Sequence, residues 1–150
     1  MHGFYSACDV VVNTMPSSKA TAGFVDEAAF RSMKDTAVFV NIGRGDTVDQ
    51  DALVTALQAG SPTALYRPAP ADEATTGNFQ IGAASLDVTT PEPLPSDSPL
   101  YTLENVILTP HMSGMTEIYH KLGFDLLSQN YKRVVEEGKG ALNAWHGKGE

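Results

Sequence analysis

The 150-residue chain carries 10 basic and 18 acidic side chains, for a formal net charge of −8. This balance argues against nucleic acid or an anionic membrane as a partner, because binding either needs clustered Lys and Arg side chains. The single cysteine, Cys8, excludes an internal disulfide, and the N-terminal segment MHGFYSACDVVV lacks the basic stretch and long apolar run of a signal peptide. We therefore expect a cytoplasmic protein.

Short apolar runs alternate with helical patterns along the chain. Four runs of β-branched and small residues predict buried strands, and they lie at 9–14, 37–42, 81–88 and 105–109. Three segments with apolar residues at helical spacing predict helices, and they lie at 26–33, 50–59 and 115–137. Such alternation is typical of an α/β fold in which helices cover a parallel sheet.

Side-chain chemistry marks the ends of the predicted helices. Asp26 and Asp49 are candidate N-caps, because a carboxylate can accept hydrogen bonds from the free N–H groups of a first helical turn. Gly60 follows the second helix and is a candidate C′ residue, a position that favours glycine. Residues 61–80 hold three prolines and show no sustained periodicity, which predicts a disordered insertion.

A polar loop follows each predicted strand. The loops read NTMP, GRGD, DVTTPEP and PHMSG. Because the carboxyl ends of parallel strands meet at one edge of a sheet, all four loops should open on one rim, where such folds bind ligands. In the second loop, Gly43 and Gly45 could free the backbone to present Arg44 into that site.

Four side chains on this rim could do chemistry. Arg44 presents a planar fork suited to a carboxylate, and histidine titrates near neutral pH, which suits His111 to proton transfer. Glu92 lies between prolines that restrict its backbone, and a carboxylate hydrogen-bonded to a histidine favours the imidazolium and fixes its tautomer. Together with Asp87, these residues predict a positive pocket with a proton donor, suited to a small anionic carbonyl compound.

Each of these residues also has a structural interpretation. A loop arginine is commonly solvated, a single histidine is commonly structural, Glu92 could be surface charge and Asp87 could cap a turn. The tripeptide Arg44-Gly45-Asp46 matches an adhesion motif, but it is short and common by chance. No pair of His, Cys or carboxylate residues in the sequence has metal-site spacing, so we predict no metal.

Three segments carry a family resemblance: MKDTAVFVNIGRGDTVDQDALVTALQAG, AASLDVTTPEPLP and NVILTPHMSG. In this order they resemble the D-isomer-specific 2-hydroxyacid dehydrogenases, above all the glyoxylate/hydroxypyruvate reductase branch. Outside the insertion the resemblance runs from about Ala7 to Trp145. It implies an NAD- or NADP-dependent oxidoreductase that reduces a small 2-keto acid, such as glyoxylate or hydroxypyruvate, to a D-2-hydroxy acid.

The resemblance also implies roles for individual residues. By it, Arg44 binds the substrate carboxylate, His111 donates the proton and Glu92 orients His111. The residues that it places against the cofactor are Pro16, Ile42, Asp87, Ser113 and Gly114. It further implies that the full-length relative is a homodimer.

The family's pattern is only partly present. The sequence contains no G-x-G-x-x-G phosphate-binding motif and no separate substrate domain. It is similar to the C-terminal half of a Rossmann-like, doubly wound dinucleotide-binding domain followed by a long helix. In such a sheet the strand at 9–14 pairs with a strand that these residues do not supply, which predicts an exposed apolar edge.

The partial pattern leaves the activity of the chain open. We expect the chain by itself to bind cofactor weakly and to turn over little or no substrate. The alternative is a module of the same fold without catalysis, which senses nucleotides or binds other proteins, or a remnant of the fold.

Overall fold

The computed structural model describes residues 2–60 and 79–143. These residues fall into two compact units, which divide after Ser113. The first unit holds a sheet with its helices, and the second holds one long helix. The predicted insertion at 61–80 lies outside the described residues except for its last two, Phe79 and Gln80.

Helices and parallel strands alternate in the first unit. They are α1 (His2–Ala7), β1 (Val10–Asn13), α2 (Glu27–Arg31), β2 (Val38–Asn41), α3 (Gln50–Ala59), β3 (Ala83–Leu86) and β4 (Val106–Leu108). The strands pair in parallel in the order β1-β2-β3-β4. The Rossmann-like parallel α/β fold predicted from the alternation is therefore confirmed, whereas α1 was not predicted.

One face of the sheet lies in the hydrophobic core. Alternate strand residues, among them Phe39 and Leu86, are buried together with the apolar sides of α2 and α3. The Phe30 ring of α2 meets the Phe39 ring edge to face, with 5.3 Å between the ring centroids. On the other side of the edge strand β1, Val10 and Val12 are about half exposed, at 54% and 52%. The predicted apolar edge is therefore present.

The predicted helix caps are largely confirmed. Asp26 accepts a hydrogen bond from Ala29 N at 2.9 Å, and Asp49 accepts one from Ala52 N at 3.0 Å. The interpretation of Gly60 as a C′ residue is wrong, because Gly60 is itself the C-cap of α3, and its φ of −74° is one that any residue adopts. Glycine stands there because a Cβ atom would lie 2.1 Å from the Ile81 carbonyl oxygen.

The second unit contains α4 (Tyr119–Tyr131), which continues as a π-helical turn over Lys132–Glu136. The sequence predicted a start at Met115, but no side chain caps the helix, and its first bond of α-helical spacing joins Leu122 N to Ile118 O. Within the described residues, no helix is long and apolar enough to cross a membrane. Nor does that part of the chain bring together three His, Cys, Asp or Glu side chains able to hold a metal.

Candidate active site

A histidine–carboxylate pair lies on the rim at the carboxyl ends of the strands. His111 Nδ1 lies 2.7 Å from Glu92 Oε1, and the two side chains are 47% and 40% exposed. With the carboxylate ionised, the imidazole donates a hydrogen bond from Nδ1 to Glu92. The other ring nitrogen, Nε2, is then available to transfer a proton to or from a ligand. The pair therefore has the geometry of an oriented proton donor.

The backbone of His111 is held in a disfavoured conformation. Its φ of +49° lies in the left-handed region, which a residue with a Cβ atom rarely adopts. Its N–H donates to Asp87 O at 2.9 Å and to Thr109 O at 3.0 Å, and these bonds keep the residue there. Strain of this kind persists where the surrounding structure fixes the backbone, and it occurs often at functional sites.

Asp87 anchors the loop that carries His111. Its carboxylate is buried and accepts hydrogen bonds from Thr109 Oγ1 at 2.5 Å and from the N–H groups of Met112 and Ser113, each at 2.9 Å. Burial by itself raises the pKa of Asp87, but these hydrogen bonds outweigh it and hold the pKa well below its ordinary value. The carboxylate is therefore ionised and bound at both oxygens to residues 109–113.

A cavity of about 510 Å³ opens beside this pair. Its lining includes Asp87, Glu92 and His111 on the polar side and Leu94 and Tyr101 on the apolar side. A cavity of this size can accept a small molecule. Arg44, which the sequence predicted opposite His111, does not line this cavity.

Arg44 lies in the loop that follows β2, at the same edge of the sheet as the pair of His111 and Glu92. It is exposed and extended, and its Nη1 donates to Gly43 O at 2.7 Å. Neither flanking glycine has a positive φ, so the predicted role of the glycines in freeing the backbone is wrong. They are needed for space: a Cβ atom on Gly43 would lie 2.7 Å from Met15 O, and one on Gly45 would lie 2.0 Å from Thr89 O.

We expect Gly45→Ala to lower the free energy of unfolding by about 1–3 kcal/mol, because the added methyl group would collide with the Thr89 backbone. Urea unfolding followed by circular dichroism measures the change. Gly3→Ala is the matched control, since nothing lies within 4 Å of its added Cβ atom. Equal stability of Gly45→Ala and the unchanged chain would contradict the close approach of the two loops.

Most of the residues that the resemblance places against the cofactor lie at the carboxyl ends of the strands. Ile42 is 44% exposed at the end of β2 and offers an apolar wall, and Pro16 is exposed in the loop after β1. Asp87 N donates to Asn41 O at 3.0 Å, so the Asp87 backbone lies beside the end of β2. Ser113 is tied to Asp87, whereas Gly114 begins the second unit and its implied role stays a prediction.

Sequence reasoning missed the buried polar residues under the rim. Asn13 and Asn41 end β1 and β2 side by side, and Thr47 lies beneath the arginine loop. Gln50 Oε1 accepts a hydrogen bond from Thr90 N at 3.0 Å and thus ties α3 to the loop of Glu92. The available signal was an asparagine ending each of two successive apolar runs.

The fold and the rim together define a class of protein. A parallel Rossmann-like sheet with a histidine–carboxylate pair at its carboxyl edge is the framework of a dinucleotide-dependent enzyme domain. A sequence profile of the family described as "D-isomer specific 2-hydroxyacid dehydrogenase, NAD binding domain" matches residues 1–66 and 74–113. The chain belongs to this family.

Individual relatives agree with this assignment. Human "Glyoxylate reductase/hydroxypyruvate reductase" is 41% identical over 108 residues, which are 72% of this chain and 27% of that protein. A D-isomer specific 2-hydroxyacid dehydrogenase from Xanthobacter autotrophicus, solved with NADPH, superposes with a TM-score of 0.73 at 30% identity and covers 95% of this chain and 50% of its own. D-mandelate dehydrogenase from Rhodotorula graminis superposes with a TM-score of 0.77 at 29% identity, and the match covers 97% of this chain and 36% of that protein. The chain thus spans about a quarter of the human relative's length.

Proposed function

We propose that this chain carries the acid–base and substrate-binding residues of an NAD- or NADP-dependent reductase of small 2-keto acids such as glyoxylate or hydroxypyruvate. The observation that carries the proposal is the 2.7 Å contact between His111 Nδ1 and Glu92 Oε1 on the rim of a dinucleotide-binding fold. The names of the relatives support it, since one is called a glyoxylate reductase/hydroxypyruvate reductase and another was solved with NADPH.

In this proposal three side chains act on the substrate. The guanidinium of Arg44 binds the carboxylate of the 2-keto acid. Protonated His111 gives its Nε2 proton to the carbonyl oxygen, and Glu92 holds the ring and stabilises its charge. The nicotinamide cofactor would supply the hydride that reaches the carbonyl carbon, and the product is a D-2-hydroxy acid.

The cofactor proposal assigns the nicotinamide to the neighbouring loops. Asp87 would accept a hydrogen bond from its carboxamide, and the ring would lie against the other implied contacts, which are Pro16, Ile42, Ser113 and Gly114. We propose further that the 150 residues are part of a dinucleotide-binding domain, and that other segments bind the pyrophosphate and complete the substrate site. A cytoplasmic homodimer belongs to the same proposal.

A chimera tests this function. The 108 matched residues would replace their counterparts in the human relative, with which they are 41% identical. We expect the chimera to oxidise NADH or NADPH when glyoxylate or hydroxypyruvate is added, whereas the 150-residue chain alone should turn over little or nothing. Absorbance of the reduced nicotinamide follows the reaction.

The outcomes distinguish the proposal from a module without catalysis. A folded chimera that binds the reduced cofactor yet leaves both keto acids unreduced would contradict the catalytic proposal and favour the nucleotide-sensing alternative. Rapid turnover by the 150-residue chain alone would contradict the proposal that other segments complete the site. Fluorescence of the bound reduced cofactor provides the check on binding.

A further inference from the structure

Three buried polar side chains form a network under the arginine loop. Asn13, Asn41 and Thr47 are 4%, 2% and 0% exposed. Asn13 Nδ2 donates to Asn41 Oδ1 at 3.0 Å and to Thr47 Oγ1 at 2.6 Å. Both hydrogens of this amide are therefore used inside the protein, as buried polar groups require.

The network ends on the backbone of Arg44. The carbonyl oxygen of Arg44 accepts hydrogen bonds from Thr47 Oγ1 at 2.6 Å and from Asn41 Nδ2 at 3.2 Å. Thr47 N also points to this oxygen, at 3.4 Å. An exposed arginine thus has a backbone that is held from beneath by two fully buried side chains.

The same network reaches the loop that follows β1. Asn13 Oδ1 accepts a hydrogen bond from Met15 N, and Asn41 Oδ1 accepts one from Gly43 N, both at 3.1 Å. The loop after β1 and the arginine loop are therefore held by adjacent members of one network. Because hydrogen bonds fix directions as well as distances, the satisfied network defines one geometry for both loops.

We propose that Thr47 is a positioning residue for Arg44. Its hydroxyl accepts a hydrogen bond from Asn13 Nδ2 and donates one to the Arg44 carbonyl, and it thereby fixes the backbone from which the guanidinium extends. This inference rests on the proposed function in one respect, namely that Arg44 binds the carboxylate of a 2-keto acid. Thr47 itself is fully buried and does not touch the substrate.

Thr47→Val tests the inference, because valine keeps the shape and removes the hydroxyl. Two readouts are compared: the heteronuclear NOE of the Arg44 and Gly45 amides in the 150-residue chain, and KM and kcat for glyoxylate in the chimera, which holds the segments that complete the site. We expect the NOE to fall and KM to rise about fivefold with little change in kcat, since the hydroxyl's hydrogen bond to the Arg44 carbonyl and the one it accepts from Asn13 are both lost.

Three further variants separate positioning from stability. Thr47→Ser keeps the hydroxyl and should restore both readouts. Thr47→Cys has a weaker donor, so its readouts should lie between those of the serine and valine variants. It replaces the valine variant if that variant fails to fold. Asn105→Ala removes hydrogen bonds to Leu57 O and Gly82 O at the opposite end of the sheet, so it should destabilise the chain without moving either readout.

Each outcome bears on one of the two proposals. An unchanged NOE at Arg44 in Thr47→Val, or the same drop in Asn105→Ala, would overturn the positioning role. A chimera with unchanged Thr47 that binds the reduced cofactor but does not reduce glyoxylate would instead count against the proposed function, while the NOE comparison in the 150-residue chain would still decide the role of Thr47.

Discussion

Replacing His111 by asparagine is expected to lower kcat/KM of the chimera for glyoxylate by about 10²- to 10⁴-fold, the usual contribution of a positioned general acid. The amide can still form a hydrogen bond with Glu92, but it has no proton to give to the carbonyl oxygen. Steady-state kinetics with saturating cofactor measures the change. Glu104→Gln, at an exposed position inside the segment that the family profile matches, is the control and should leave the rate unchanged.

Glu92→Gln completes this test. Glutamine keeps the shape and can accept a hydrogen bond from His111 Nδ1, but it removes the negative charge 2.7 Å away. We expect a loss of rate smaller than that of His111→Asn, with cofactor affinity unchanged. The control is Glu104→Gln, at another exposed position. A full rate in His111→Asn would contradict the assignment of the proton donor.

Asp87→Asn is expected to lower the free energy of unfolding by about 3 kcal/mol at neutral pH. The buried carboxylate accepts three hydrogen bonds from residues 109–113. The amide of asparagine would place its NH₂ group, itself a donor, against some of these donors, which would then have no acceptor. Urea unfolding measures the loss. Asp35→Asn at an exposed position is the control, and it should change stability little.

The ionised state of Asp87 also predicts that the free energy of unfolding depends on pH. Because the hydrogen bonds hold the pKa of Asp87 below its ordinary value, the ionised group stabilises the fold above that ordinary value, about pH 4. The stabilisation is lost as the pH falls from there towards the folded-state pKa. The difference in stability between the unchanged chain and Asp87→Asn should therefore stay constant from about pH 7 to about pH 5 and shrink as the pH falls to about 3. A constant difference would contradict an ionised anchor.

The resemblance implied that Asp87 contacts the cofactor, and the structure adds a second task. The carboxylate already binds the loop of His111, so its loss would disturb the proton donor as well as the nicotinamide. Sequence patterns do not reveal this, because Asp87 and Ser113 are separated by the loop of Glu92 and by β4, and they meet only when β3 and β4 pair. A cofactor role and an anchoring role are compatible, since a carboxylate has four lone-pair positions.

Local patterns predicted the parts of the fold that depend on neighbouring residues. The strands, two of the helices and their Asp26 and Asp49 caps follow from periodicity and from side chains a few positions away. The start of α4 was placed too early because apolar spacing continues through residues 115–118 although no cap holds a helix there. Helix α1 was missed, although its Tyr5 is buried in the core.

The sequence by itself determined the parallel α/β class, the order of the rim loops and the residues with chemistry to offer, because each rests on short-range pattern or on residue type. Only the tertiary structure decided which of them meet. The family resemblance had already implied that Glu92 orients His111, and the structure shows the two side chains in contact. It also tied Asp87 to the histidine loop and set the Arg44 backbone on a buried network outside the cavity. These pairings depend on strand register and loop packing, in which a few ångströms decide whether a hydrogen bond forms.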